Sequence, residues 1–197
     1  VLSDIQNMGY EVVLVSSGAI AVGRNKLNMT SKPDSMRMKQ AAAAVGQCSL
    51  MYLYDKFFGD YDKTVAQILL NAEDIEQEEK KENLINTFNA LLEMGVIPIV
   101  NENDSVSYKE IESEDRLFGD NDMLSAVVAV LCRARHLVIL SDIDGFYDHD
   151  PRLYPNAKLI EQIDTIDDSV YALAGGAGSR RGTGCLLYTS PSPRDTR

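Results

Sequence analysis

Short apolar runs alternate along this chain with stretches of helical period. Glu11–Ser16 is a β-branched run that reads as a buried strand. It leads into the small-residue turn Ser17-Gly-Ala-Ile-Ala-Val-Gly23, which should open a helix. Residues 36–58, rich in Ala, Met, Leu and Gln, read as a long helix with a tightly packed segment at Ala41–Ala44. Thr64–Leu70 is the next predicted strand. Ala72–Met94 reads as a helix, with Glu73 and Asp74 suited to the positive end of its dipole and Gly95 to stop it. The acid-rich run Glu73–Glu82 reads as a solvated face of that helix. Val96–Val100 is a third strand, ending in Asn101-Glu-Asn-Asp104. A charged, turn-rich excursion runs to Phe118, and Gly119-Asp-Asn-Asp122 then precedes Met123–Leu131, a nearly all-apolar helix that must be buried. His136–Leu140 reads as a fourth strand, ending in Ser141-Asp-Ile-Asp-Gly145. Buried strands alternating with helices predict an α/β fold with a mainly parallel central sheet. Such sheets bind ligands beyond the carboxyl ends of their strands, so the strand-end residues carry the functional question.

Composition narrows that question. A chain 45% hydrophobic has the material for a core, and its net charge of −11 excludes a generic nucleic-acid binder, which needs clustered Lys and Arg. The charge is unevenly placed. Residues 180–197 hold four arginines and one aspartate, net +3, which leaves 15 basic and 29 acidic residues upstream, net −14. Cys48, Cys132 and Cys185 are odd in number and scattered, so they suggest neither a disulfide framework nor a zinc site and fit a reducing cytoplasm. No apolar stretch is long enough to span a bilayer, and no signal-peptide pattern opens the chain.

Three strand ends carry candidate chemistry. At Ser16-Ser17-Gly18-Ala19, small residues let a ligand approach backbone N–H groups, which favours an anion, although a tight turn without a ligand would look the same. At Asn101-Glu102-Asn103-Asp104, joined by Gly119-Asp120-Asn121-Asp122, amides can grip both ends of an amino acid and Asp104 can pair with an ammonium. Capping of the following helix by Asp120 or Asn121 accounts for one of these residues but not for the set. At Ser141-Asp142-Ile143-Asp144-Gly145, a hydroxyl, two acids and a glycine could hold a nucleotide or orient a lysine, while Asp144-Gly145 alone is an ordinary turn signal. Asp148 and Asp150 add acid without making a metal cage, and His136 and His149 are isolated. No G-x-x-x-x-G-K-[ST] loop and no protein-kinase set is present. The glycine-rich stretch Gly175–Gly184 could cradle phosphates or simply form a flexible loop.

Taken together, Ser16-Ser-Gly-Ala-Ile20, Pro98-Ile-Val-Asn-Glu-Asn-Asp104, Phe118-Gly-Asp-Asn-Asp-Met-Leu-Ser125 and Leu140-Ser-Asp-Ile-Asp-Gly-Phe-Tyr147 resemble the glutamate 5-kinases, the proline-pathway branch of the amino acid kinase family. Gly182-Thr-Gly184 resembles the opening of that family's Gly-Thr-Gly-Gly-Met-x-Thr-Lys nucleotide motif. The resemblance implies an αβα sandwich that phosphorylates the γ-carboxylate of L-glutamate with ATP and Mg²⁺, as the first step of proline synthesis. It implies glutamate binding by Ser17, Asp104 and Asn121, and nucleotide binding by Ser141, Asp142, Gly182, Thr183 and Gly184. Asp120 and Asp122 match acids that organise the reaction site, and no residue is assigned as a metal ligand. Such chemistry rests on positioned cations and donors rather than covalent work by the protein. The same resemblance implies a cytoplasmic protein whose full-length parent is a homo-oligomer, while the acid excess and the short apolar runs predict neither nucleic-acid nor membrane partners.

Two departures shape the expectations. The family's first strand, with its phosphate-binding Gly and Lys, has no counterpart here, and Cys185–Arg197 stands where the second lysine of the nucleotide motif should follow. Residues 1–184 therefore read as a partial amino acid kinase domain truncated at both ends, and 185–197 as a non-native or disordered tail. The fragment itself is expected to be inactive or nearly so. The alternative is a non-catalytic module that binds glutamate or proline as a sensor.

Overall fold

The computed structural model describes residues 1–106, 121–140, 144–149, 151, 153–165 and 170. The chain divides into two compact units, Val1–Asn121 and Asp122–Arg197. In the first unit the elements run α1 (Leu2–Asn7), β1 (Leu14–Val15), α2 (Ala19–Lys26), α3 (Met36–Gly59), β2 (Val65–Leu70), α4 (Ala72–Glu76), α5 (Glu78–Glu93) and β3 (Ile97–Glu102). The strands form a parallel sheet in the order β1-β3-β2, with Leu14 opposite Ile99 and Val65 opposite Ile97. This is the α/β arrangement the alternation predicted.

The central strand explains the hydrophobic run that specified it. Ile97 and Ile99 are fully buried in a cluster with Val12 and Phe58, flanked by Leu2 and Ile5 of α1, Met51 and Tyr54 of α3, and Leu14 and Val65 of the neighbouring strands. Alternation turns Pro98 and Val100 to the opposite face, where they are equally buried, so β3 is covered on both sides. β3 also runs two residues past the predicted end. Asn101 and Glu102 lie in the strand, paired with Leu69 and Leu70 of β2, rather than in a loop beyond it.

Two other predicted elements are shorter or divided. Only Leu14 and Val15 of the first run pair as strand, although Val12 reaches the core. The helix predicted over 72–94 is broken at Gln77, whose backbone is extended (φ −86°, ψ 113°). The break follows from local chemistry. Asp74 folds back to accept the Asn71 backbone N–H at 2.8 Å and closes a single turn, and Gln77 then serves as the N-cap of α5 with Glu78 and Glu79 in its first turn.

Helices α2 and α3 meet at unusually close range. A Cβ placed on Gly23 would lie 1.7 Å from the Ala42 carbonyl oxygen, and one on Gly46 would lie 1.7 Å from that of Ala19. Ala19, Ala42 and Ala43 are buried at this crossing, which accounts for the small-residue segment of α3.

In the second unit, α6 (Asn121–Leu131, only its first residue belonging to the first unit) buries Leu124, Ala126, Val128, Ala129 and Leu131, as its apolar sequence required. The structure overturns the fourth strand. Residues 136–140 take no regular structure, and Val138 and Leu140 are 76% and 91% exposed. A strand exists only by hydrogen bonding to a neighbour, and no described strand pairs with this run. A short antiparallel pair that the pattern did not predict, β4 (Phe146–Tyr147) with β5 (Leu159–Ile160), follows instead. The Asp148 carboxylate accepts the Lys158 backbone N–H at 2.7 Å beside this pair, and that bond holds its pKa below the usual carboxylate value. Among the described residues, no helix is long and apolar enough to cross a membrane.

Candidate active site

The first unit opens a cavity of about 390 Å³ at the carboxyl ends of its strands, a volume suited to a small metabolite. One wall is the turn after β1 and the start of α2: Gly18, Ala19, Ile20 and Ala21. Gly18 takes φ +89°, a left-handed conformation that glycine adopts without Cβ strain, and it serves as the N-cap of α2. The first turn of α2 carries no acid and no side-chain cap, so its N–H groups keep the positive end of the helix available to a ligand. Asn101, Glu102 and Asp104 come from the end of β3, and Asn121 from the first residue of α6.

The strand-end side chains are held from behind by α3. Asn101 is buried; its Nδ2 donates to Gln47 Oε1 at 2.9 Å, and its Oδ1 accepts the Glu102 backbone N–H at 2.9 Å. At the end of β1, the Ser16 and Tyr54 hydroxyls are 2.7 Å apart, and the Ser16 backbone N–H donates to Val100 at 2.8 Å. These bonds fix the two strand ends against each other, so the cavity wall is set before any ligand arrives.

Electrostatically the cavity has two signs. Arg24, Lys32 and Lys39 supply three cations, against the carboxylates of Glu102 and Asp104. Partial burial raises the Asp104 carboxyl above its ordinary pKa, because desolvation penalises the charged form. Asp104 has no hydrogen bond or ion pair among the described residues to offset that penalty. A carboxylate in this condition is ready to take an ammonium group. The cations and the free helix amides are ready to take carboxylates.

The expected site residues divide clearly. Asp104 and Asn121 line the cavity; Ser17 lies beside it, exposed, immediately before Gly18. Asp122 stands in the first turn of α6, where its carbonyl accepts the Ser125 hydroxyl at 2.6 Å. Asp120, Ser141, Asp142, Gly182, Thr183 and Gly184 lie outside the described residues, as does the tail 185–197. Sequence reasoning missed Arg24, Lys32 and Lys39, and Asn101 and Gln47 as a buried pair. Helical spacing held a signal for one of them. Arg24 is four residues after Ile20 and three after Ala21, so the helix that presents its first turn to a ligand also presents Arg24.

Comparison with known proteins gives the family. The pattern of the amino acid kinase family matches residues 1–181. The chain is 57% identical over 187 residues to the glutamate 5-kinase of Clostridium perfringens, covering 95% of this chain and 69% of that protein. It is 50% identical to the glutamate 5-kinase of Listeria innocua, over 95% of this chain and 67% of that protein. It is 48% identical to the glutamate 5-kinase of Caldanaerobacter subterraneus, again over 95% of this chain but 49% of that protein. With the family pattern matched over nearly its whole length, the chain belongs to the amino acid kinase family.

Proposed function

We propose that this chain carries the acceptor site of an ATP-dependent kinase that phosphorylates the γ-carboxylate of L-glutamate, the opening reaction of proline synthesis. The observation that carries the reading is the cavity itself. It sets Asp104, half-buried and without a hydrogen bond or ion pair among the described residues, and two asparagines against three cations, at the strand ends where this fold class binds ligands. L-Glutamate has one ammonium and two carboxylates, and the cavity offers groups of matching sign for all three. The glutamate 5-kinase relatives supply the substrate name, and Ser17, Asp104 and Asn121 are the residues we assign to it.

In this reading Asp104 receives the substrate ammonium, Asn121 offers its amide to the polar ends, Asn101, bonded to Gln47 and the Glu102 backbone, steadies the strand end behind them, and the α2 N-terminus with the nearby cations holds the negative charge. ATP supplies the transferred phosphoryl group, and Mg²⁺ neutralises its phosphates. Ser141, Asp142 and Gly182–Gly184 are the residues we assign to the nucleotide. Asp120 and Asp122 are assigned to organising the reacting groups. Mg²⁺ keeps most of its waters and binds mainly through substrate phosphates with one or two carboxylates, so it would arrive with the nucleotide. The reading places the protein in the cytoplasm, where a scattered, odd number of cysteines fits a reducing environment. It also makes the protein a homo-oligomer, with the exposed Tyr52, Leu53 and Phe57 of α3 available for contact.

The test is a hydroxylamine-trapping assay on a chimera in which residues 1–181 replace the matching segment of the Clostridium perfringens relative. γ-Glutamyl hydroxamate should form only when L-glutamate, ATP and Mg²⁺ are all present. A folded chimera that makes no hydroxamate, or makes as much acyl hydroxamate from L-aspartate, would sink the reading. Tight glutamate binding without turnover would favour the non-catalytic sensor instead.

A further inference from the structure

The glutamate reading leaves one feature of the cavity without a role. Arg24 lines it from α2, and the Nε of this arginine is buried from water with no hydrogen-bond partner. Arg37, Arg133 and Arg135, the other arginines among the described residues, are exposed, so Arg24 alone among them is drawn partly into the protein. A position in the last turn of α2 suits a positive charge near the negative end of the helix dipole. That accounts for a cation at this position, but it does not account for an N–H kept from water without an acceptor. Such a group costs free energy unless something supplies the missing acceptor.

The charge count of the cavity points the same way. Three cations against two carboxylates leave its lining with net formal charge +1. A zwitterion with a single carboxylate is neutral and leaves that excess in place, whereas a dicarboxylic amino acid carries −1 and cancels it. Lys32 is exposed at the rim; Lys39 is half-buried on α3; Arg24, half-buried on α2 with its Nε shielded, is the cation whose guanidinium offers a planar fork suited to a carboxylate.

We infer that Arg24 binds one carboxylate of a dicarboxylic amino acid, and that this contact sets the cavity's preference for acidic over neutral amino acids. The inference rests on the glutamate reading and adds to it a residue that decides specificity. Its test is calorimetric titration of this 197-residue chain and its Arg24→Gln variant with L-glutamate and both monoamides. These are L-glutamine, which lacks the γ-carboxylate, and L-isoglutamine, which lacks the α-carboxylate. The variant should bind L-glutamate about 10- to 100-fold more weakly, the loss typical of a charge-assisted bond. It should bind one of the two monoamides as the unaltered chain does, and which one identifies the carboxylate held. Equal weakening toward all three ligands would mean that Arg24 is only structural and would overturn the inference, as would unchanged L-glutamate affinity. If Arg24→Gln fails to fold by circular dichroism, Arg24→Lys gives the same comparison: selective weakening supports the contact, and affinities equal to those of the unaltered chain overturn it. No L-glutamate binding by the unaltered chain would remove the glutamate reading and this inference together.

Discussion

Asp104 joins a half-buried carboxylate to an absence of ion pairs among the described residues, and its acid–base behaviour follows. An ammonium ligand binds the ionised form. Affinity is therefore full above the raised pKa and falls as pH drops through it, earlier than for an ordinary carboxylate. Titration of the unaltered chain with L-glutamate at successively lower pH should show this loss together with proton release on binding. Asp104→Asn should weaken binding about 10- to 100-fold and flatten the pH dependence. Its effect on stability has the other sign. Because the folded-state pKa is raised, ionisation of Asp104 works against folding as pH rises, and the neutral amide should melt no lower than the native residue. A variant that melts clearly below the unaltered chain near neutral pH would contradict this account. Gln47 is a different case, since it holds Asn101 in the core. Gln47→Leu leaves the Asn101 amide without its acceptor and should cost about 1–3 kcal/mol by urea unfolding. Asn101 and Asp104 were recognisable as strand-end polar residues from the sequence. Gln47 was not, because nothing local in an alanine-rich helix shows which polar side chain faces inward to a strand 54 positions away.

The α2–α3 crossing ties the element scale to the site. Gly23 and Gly46 leave no room for a side chain: a Cβ at either meets a backbone carbonyl of the other helix at 1.7 Å. Gly46→Ala should force the helices apart and cost about 1–3 kcal/mol, seen as a lower melting temperature. Because α2 contributes both the Gly18–Ala21 wall and Arg24, the same change should weaken L-glutamate binding. A variant that melts and binds as the unaltered chain does would show that the crossing has slack the structure does not contain. Phe88 of α5, fully buried, tests packing away from the cavity; Phe88→Ala should cost about 3–5 kcal/mol while leaving the affinity of the folded form unchanged. Most helices and the buried strands could be read from apolar period. The break at Gln77 and the lost strand at 136–140 could not. The first depends on Asp74 folding back to Asn71, and the second on whether an apolar run finds a strand to pair with.

On the scale of the whole molecule, net charge and local charge point in opposite directions. The chain carries −11 overall, yet its cavity lining is positive by one. The composition excluded a polyanion partner and said nothing about a small anionic ligand held by a few placed cations. The exposed Tyr52 and Phe57 of α3, 67% and 57% accessible, carry the oligomer prediction. Phe57→Glu should shift the protein toward monomer in sedimentation velocity, and an unchanged distribution would place the contact elsewhere. By itself the sequence determined the fold class, the order of most elements, the family, the strand end that leads to Asp104 and the helix start that carries Asn121. Those follow from periodicity and short motifs, which are properties of neighbouring positions. Only the tertiary structure decided that Arg24, Lys32 and Lys39 share a cavity with Asp104, and that Gln47 and Tyr54 steady its wall. Such convergence depends on the approach of α2, α3 and β3 in space, and no local pattern along the chain records it.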